Sequence, residues 1–144
     1  MNDPPISAGP APDESSPVRR KVLVVDDSPL MLEAAAAILE SEGYAVRTAI
    51  DGVEAIDVVA EWRPSIVLLD VHMPRLNGVE TARRLRIDHP PGSLGLMMMS
   101  GVTLDAAWMS HAKAAGFDDC IDKTADPDEW LASLQRLADV LDAA

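Results

Sequence analysis

Apolar and polar positions change rhythm along this chain at regular intervals. "KVLVV" (Lys21–Val25) is β-branched and apolar on both parities, which predicts a short strand buried on both faces. "DDSP" stops it: Ser28 can cap a helix and Pro29 can take its first position. Leu32, Ala35, Ala36 and Leu39 then recur at helical spacing, predicting a helix to about Glu42 that Gly43 ends. "YAVRTA" reads as a half-buried second strand, and Asp51-Gly52 as a turn. Val53 to Trp62 is the second predicted helix, with Val53, Ile56 and Val59 or Ala60 inward and Pro64 beyond its end. "SIVLLDV" is the third strand, Gly78 to about Asp88 the third helix, and "LGLMMMS" (Leu94–Ser100) the fourth strand. Leu104 to Ala115, stopped by Gly116, is the fourth helix, and "DDCIDK" is a short fifth strand. Pro127 to about Leu141 is the last helix, with Asp126 as its cap.

Strand and helix thus alternate five times. Right-handed crossovers place the helices of such a pattern on both faces of a parallel sheet, so the expected class is α/β. In sheets of this kind ligands lie outside the carboxyl ends of the strands. Asp26 and Asp27 follow strand one, Asp70 ends strand three, Ser100 and Gly101 close strand four, and Lys123 closes strand five. Strand two, ending near Ala49, brings nothing reactive. The expectation is that the four central strands deliver reactive groups to one edge.

Composition narrows the picture. Aromatic content is only 3%, so the core must be aliphatic. A net charge of −12 repels phosphate backbones and anionic membranes, so neither nucleic acid nor membrane is an expected direct partner. Arg83, Arg84 and Arg86 form the densest basic cluster and read as a solvated helix face. The single cysteine, Cys120, excludes an internal disulfide and reads as a small apolar filler. Residues 1–19 hold five prolines and little to bury, so a disordered tail is expected there, with a folded domain over 20–144. That opening stretch has no apolar signal-peptide core, and no apolar run reaches membrane-span length; a cytoplasmic protein is expected.

Gathered together, Asp26, Asp27 and Asp70 would repel one another unless a cation joined them. Oxygen donors of this type suit Mg²⁺, which binds a few carboxylates together with a phosphate. A carboxylate beside such an ion can attack phosphorus and form an aspartyl-phosphate. The Ser100 hydroxyl and the Lys123 ammonium are the donors that the other phosphoryl oxygens need. Each residue alone also suits ordinary turn chemistry. Their conjunction in this order is far more specific.

The sequence closely resembles the receiver domain of two-component response regulators over about residues 20–143. The resemblance rests on "VLVVDDSP", Ala49-Ile50-Asp51-Gly52-Val53-Glu54-Ala55, "IVLLDVHMPRLNG", "MMMSG" and "AAGFDDCIDK". It implies a flavodoxin-like (βα)5 receiver fold, with Asp70 as phosphoryl acceptor and Asp26 and Asp27 holding Mg²⁺. It implies that His72 adds its backbone carbonyl to the metal, and that Ser100 and Lys123 are the hydroxyl and lysine of the family's switch. The implied donor is a phosphohistidine on a sensor histidine kinase or a histidine phosphotransfer protein. Mg²⁺-dependent self-phosphorylation and autodephosphorylation at Asp70 are expected with it.

Two positions depart from the family pattern. Thr124 stands where a proline with a cis bond usually follows the lysine, and Cys120 stands where an aromatic switch residue usually lies. A non-proline cis bond costs roughly 2.5–4 kcal/mol, so the loop after strand five either is trans or carries strain. Switching through Cys120 should be muted or carried by its neighbours. Trp108 and Trp130 fall on the helices flanking strand five, where each is either a buried packing residue or an exposed anchor. No basic DNA-reading segment follows the last helix, so the expectation is a single-domain regulator, monomer or weak homodimer, whose output is binding to a downstream protein. Two other readings stay open: a binding module of the same fold that signals without phosphate, and an aspartate-nucleophile phosphatase. The latter usually wants a second carboxylate at the position of His72.

Overall fold

The computed structural model describes residues 20–71, 77–101 and 106–143. The expected tail at 1–19, His72 and the predicted helix start at Leu104 lie outside the described residues.

Lys21–Val25 forms β1, and Ser28 starts the helix after it, its Oγ accepting from the Met31 N–H at 3.3 Å with Pro29 in the first turn. That helix is α1 (Pro29–Ser41), followed by β2 (Ala45–Ala49). Asp51 caps α2 (Gly52–Trp62) by accepting from the Glu54 N–H at 2.8 Å, while Glu54 accepts from the Ile50 N–H at 2.8 Å. β3 (Ile66–Asp70) leads to α3 (Gly78–Asp88), which Asn77 caps. β4 (Gly95–Ser100), α4 (Ala106–Ala115), β5 (Asp119–Asp122) and α5 (Pro127–Ala143) complete the order. Asp126 caps α5 as expected, accepting from the Glu129 N–H at 3.0 Å.

All strand pairings are parallel, in the order β2-β1-β3-β4-β5. The reactive strands β1, β3, β4 and β5 are contiguous, but β5 is an edge strand rather than a central one. Alternation then divides the core in two. Leu23, Val25, Val67, Leu69, Leu96 and Met98 pack with α2, α3 and α4. Val22, Val24, Ile66, Leu68, Met97 and Met99 pack with α1 and α5. The three successive methionines are therefore shared between both faces, and all are fully buried.

The inward face of α2 differs from the expected one. Gly52, Ala55 and Val59 are buried, while Val53 is 42% exposed. The helix begins one residue earlier, at Gly52 after the Asp51 cap, and small side chains occupy the positions nearest the sheet. Arg86 also departs from expectation. Its side chain is only 10% exposed, and its guanidinium donates to the carbonyls of Gly116 (2.8 Å), His89 (3.1 Å) and Leu94 (2.6 Å) and to Asp118 Oδ2 (2.9 Å). Asp118 Oδ2 also accepts from the Leu96 N–H at 2.8 Å. At Gly116, in a left-handed conformation (φ 115°), a Cβ would sit 2.5 Å from Arg86 Cγ, so a side chain there would displace Arg86.

Candidate functional site

Register brings the acidic residues together. Val25 pairs with Ala49 on one side and Leu69 on the other, so the residues that follow Val25 and Leu69 meet on adjacent strands. The Asp26 N–H still bonds the Ala49 carbonyl at 3.1 Å, extending the β1 ladder by one residue. Asp26 therefore keeps the parity of Val22 and Val24, and Asp70 keeps that of Ile66 and Leu68. Across the sheet, the Lys123 N–H bonds the Ser100 carbonyl at 2.9 Å, so Lys123 keeps the parity of Ile121. All three point to the α1/α5 side, and there their side chains converge.

Asp26 is fully buried, Asp70 is 3% exposed, and Asp27 is exposed. One carboxylate oxygen from each lies within 4.8 Å of the others. The Lys123 ammonium stands 2.6 Å from Asp26 Oδ2 and 3.1 Å from Asp70 Oδ2. Asp26 Oδ1 accepts from the Ser28 N–H at 2.9 Å. Asp26 Oδ2 has the ammonium near it but no aligned hydrogen bond among the described residues. Burial pulls the Lys123 pKa down, but its close contacts with the Asp26 and Asp70 carboxylates outweigh it, and the net displacement is above the ordinary lysine value. The lysine is thus cationic and bridges two acids. An all-oxygen set of three carboxylates, with one buried oxygen lacking an aligned donor, fits a hard divalent cation.

Ser100 ends β4, is 2% exposed and pairs in register with Asp122. Gly101 follows it at the surface. Gly78 sits where the chain returns to the site: a Cβ there would overlap the Asp70 carbonyl oxygen, so the start of α3 passes directly over the end of β3.

The loop after β5 carries groups that sequence reasoning missed. Among the described residues no peptide bond is cis, so the Lys123–Thr124 bond is trans. Asp122 Oδ1 accepts from the Thr124 N–H at 2.8 Å and from its hydroxyl at 2.7 Å. The Thr124 hydroxyl, and then its N–H, hold the Asp122 carboxyl below its usual range. The Asp122 carbonyl accepts from the Ala125 N–H at 3.0 Å and from the Trp130 indole at 3.0 Å. The Asp-x-Thr spacing around Lys123 was the available signal, since such pairs favour local side-chain turns.

Trp130 is 2% exposed and packs in the α1/α5 core, so it is a buried residue rather than a surface anchor. Trp108 is partly buried and meets His111 edge-on at 5.6 Å. Cys120 packs against the other core, with its Sγ 3.4 Å from Met109 Sδ, as a filler would. A cavity of about 730 Å³ lies at the opposite end of the sheet, lined by Arg20, Arg63, Ser65, His89 and Leu94, and no member of the acidic cluster borders it.

The family model of the response regulator receiver domain matches residues 22–135. The chain belongs to that family. This receiver domain is 42% identical over 123 residues to the response regulator MprA of a Mycobacterium species (strain KMS), covering 84% of the chain and 50% of the relative. It is 33% identical over 118 residues to the DNA-binding response regulator MtrA of Mycolicibacterium smegmatis, covering 82% of the chain and 50% of the relative. The chain thus spans about half the length of the curated relatives it matches. Among solved structures, the chemotaxis protein CheY4 of Vibrio cholerae superposes with a TM-score of 0.78 at 30% identity, over 83% of this chain and 99% of that one. The flavodoxin-like receiver fold expected from the sequence is therefore the observed one. Among the described residues no helix is long and apolar enough to cross a membrane.

Proposed function

We propose that this receiver domain accepts a phosphoryl group on Asp70 from a phosphohistidine of a sensor histidine kinase or phosphotransfer protein. The observation that carries the reading is the convergence of Asp26, Asp27, Asp70 and Lys123 at one sheet edge. An Asp70 oxygen attacks phosphorus; the O–P bond forms, the P–N bond breaks, and its electron pair stays on the imidazole nitrogen. Held by the carboxylates of Asp26, Asp27 and Asp70 and the backbone carbonyl of His72, Mg²⁺ would offset the repulsion between the attacking carboxylate and the phosphoryl oxygens. Lys123, already cationic and within reach of Asp70, moves onto a phosphoryl oxygen, and the Ser100 hydroxyl donates to another. In the dephosphorylation step, water attacks phosphorus, the P–O bond to Asp70 breaks, and inorganic phosphate leaves with Asp70 restored as the carboxylate.

Phosphorylation replaces one carboxylate by a group of about −1.5 to −2 charges. The pull on Ser100 and Lys123 would shift the face made by α4, β5 and α5, altering its affinity for a downstream protein. A cytoplasmic location and a monomeric or weakly dimeric state belong to the same reading. Calorimetric titration with Mg²⁺ checks the metal: uptake that disappears in Asp27→Ala supports the reading, and identical uptake by the variant contradicts it.

A phosphate-independent binding module remains the second reading, favoured by Cys120 and Thr124 at positions where the family carries switch residues. The two part on tryptophan fluorescence. A response to beryllofluoride that requires Mg²⁺ and Asp70 belongs to the first, and binding of a partner equally by wild type and Asp70→Asn belongs to the second.

A further inference from the structure

The loop that carries Lys123 is tied to α5 by a hydrogen bond that neither acidic cluster nor metal requires. The Trp130 indole, buried in the first turns of α5, donates to the carbonyl of Asp122 at 3.0 Å, one residue before Lys123. On the other side of Lys123, the Thr124 N–H and hydroxyl both bond Asp122 Oδ1, and the Ala125 N–H bonds the Asp122 carbonyl. Asp122 thus anchors the turn with both its carbonyl and its carboxylate. Lys123 stands in the middle of that turn, fixed at its own N–H by Ser100 and at its ammonium by Asp26 and Asp70.

We infer that Trp130 is a positioning residue for Lys123: its indole latches the Asp122 carbonyl and couples movement of the lysine to α5. The inference rests on the phosphoacceptor reading above. Packing alone does not call for an indole N–H; the polar end of an indole is normally satisfied when buried, and here its partner is the backbone that carries the switch lysine. The Asp122–Thr124 pair is the second half of the latch and holds the trans turn closed. When Lys123 moves toward a phosphoryl oxygen on Asp70, the Asp122 carbonyl moves with it, and the indole carries that displacement into the helix. This gives the chain a route to its α5 surface that does not need an aromatic ring at position 120.

The test uses the full chain, ¹⁵N-labelled and titrated with Mg²⁺ and then beryllofluoride. Comparison with Trp130→Phe identifies the Trp130 indole resonance. That resonance is expected to be protected from solvent exchange and to shift on beryllofluoride binding. In Trp130→Phe the half-saturating beryllofluoride concentration should rise about three- to tenfold, the range set by one net hydrogen bond, with Mg²⁺ affinity within about twofold of wild type. Thr124→Val, a substitution at an exposed position, should move beryllofluoride affinity in the same direction by a smaller factor, and serves if Trp130→Phe does not fold. An indole resonance unmoved by beryllofluoride, or wild-type saturation in both variants, overturns the inference and leaves Asp70 as acceptor. No Asp70-dependent response in the wild type overturns the phosphoacceptor reading itself, and the inference with it.

Discussion

The two ends of this sheet each bury an ion pair, and they do opposite things with it. At the amino-terminal end, Arg86 meets Asp118 and three backbone carbonyls, so its donors are well supplied, and Asp118 bonds the Leu96 N–H as well. At the carboxyl end, three carboxylates gather around one ammonium that reaches only Asp26 and Asp70, and a buried oxygen of Asp26 lacks an aligned donor. The first arrangement is complete and ties α3, β4 and the α4–β5 connection together. The second carries excess negative charge, which costs stability and invites a cation. A satisfied buried pair reads as scaffold, and an unsatisfied one at the strand ends reads as site.

Substitutions at the two ends should therefore separate function from stability. Asp70→Asn should abolish labelling by a small phosphoryl donor such as acetyl phosphate in the presence of Mg²⁺. In Mg²⁺-free buffer its urea stability should not fall below wild type, because one of three crowded charges has gone. Arg86→Ala should do the reverse. With Arg86 10% and Asp118 27% exposed, losing the guanidinium leaves a half-buried carboxylate and three carbonyls without their donor, which should lower the urea midpoint, while the folded fraction still labels at Asp70. If Asp70→Asn destabilised and Arg86→Ala did not, the contrast would collapse.

Metal should act on one end only. Mg²⁺ at a hundred times its dissociation constant should stabilise the wild type by about 2.7 kcal/mol in urea titrations. The same addition should leave Asp27→Ala nearly unchanged and should stabilise Arg86→Lys as it does wild type. The smallest effect concerns Cys120, midway between the ends. Burial, then the charges of Asp119 and Asp122, push its thiol above the ordinary range, so less thiolate is present at neutral pH than in a free cysteine. Alkylation by iodoacetamide should be slower than that of a model thiol at pH 7 and should rise as pH increases. A rate above the model thiol would mean that the site draws the thiolate out.

Much of the carboxyl end was legible because strand endings are written in the sequence. An apolar run that stops at Asp26, Asp70 or Ser100 fixes which residues reach the edge from β1, β3 and β4, the short strand before Lys123 adds a fourth, and parallel register does the rest. The amino-terminal pair was not legible. Arg86 lies among Arg83 and Arg84 as if on a solvated face, yet its partners are carbonyls and a carboxylate from segments folded against it, including Gly116 and Asp118. No helical period announces that. Val53 misled for a related reason: capping by Asp51 set the start of α2, and the Gly52–Ala55–Val59 stripe then won the face against the sheet. The order of strands placed β5 at an edge, which alternation of strand and helix alone does not determine.

The claim on which the account depends is that Asp70 takes the phosphoryl group because Asp26, Asp27 and Lys123 surround it. Mass spectrometry with peptide mapping, after incubation of the full chain with acetyl phosphate and Mg²⁺, tests it most directly. The account predicts a phosphoryl group on Asp70, absent from Asp70→Asn and absent without Mg²⁺. Undiminished labelling of Asp70→Asn, or a wild type that takes up no phosphoryl group, would contradict it.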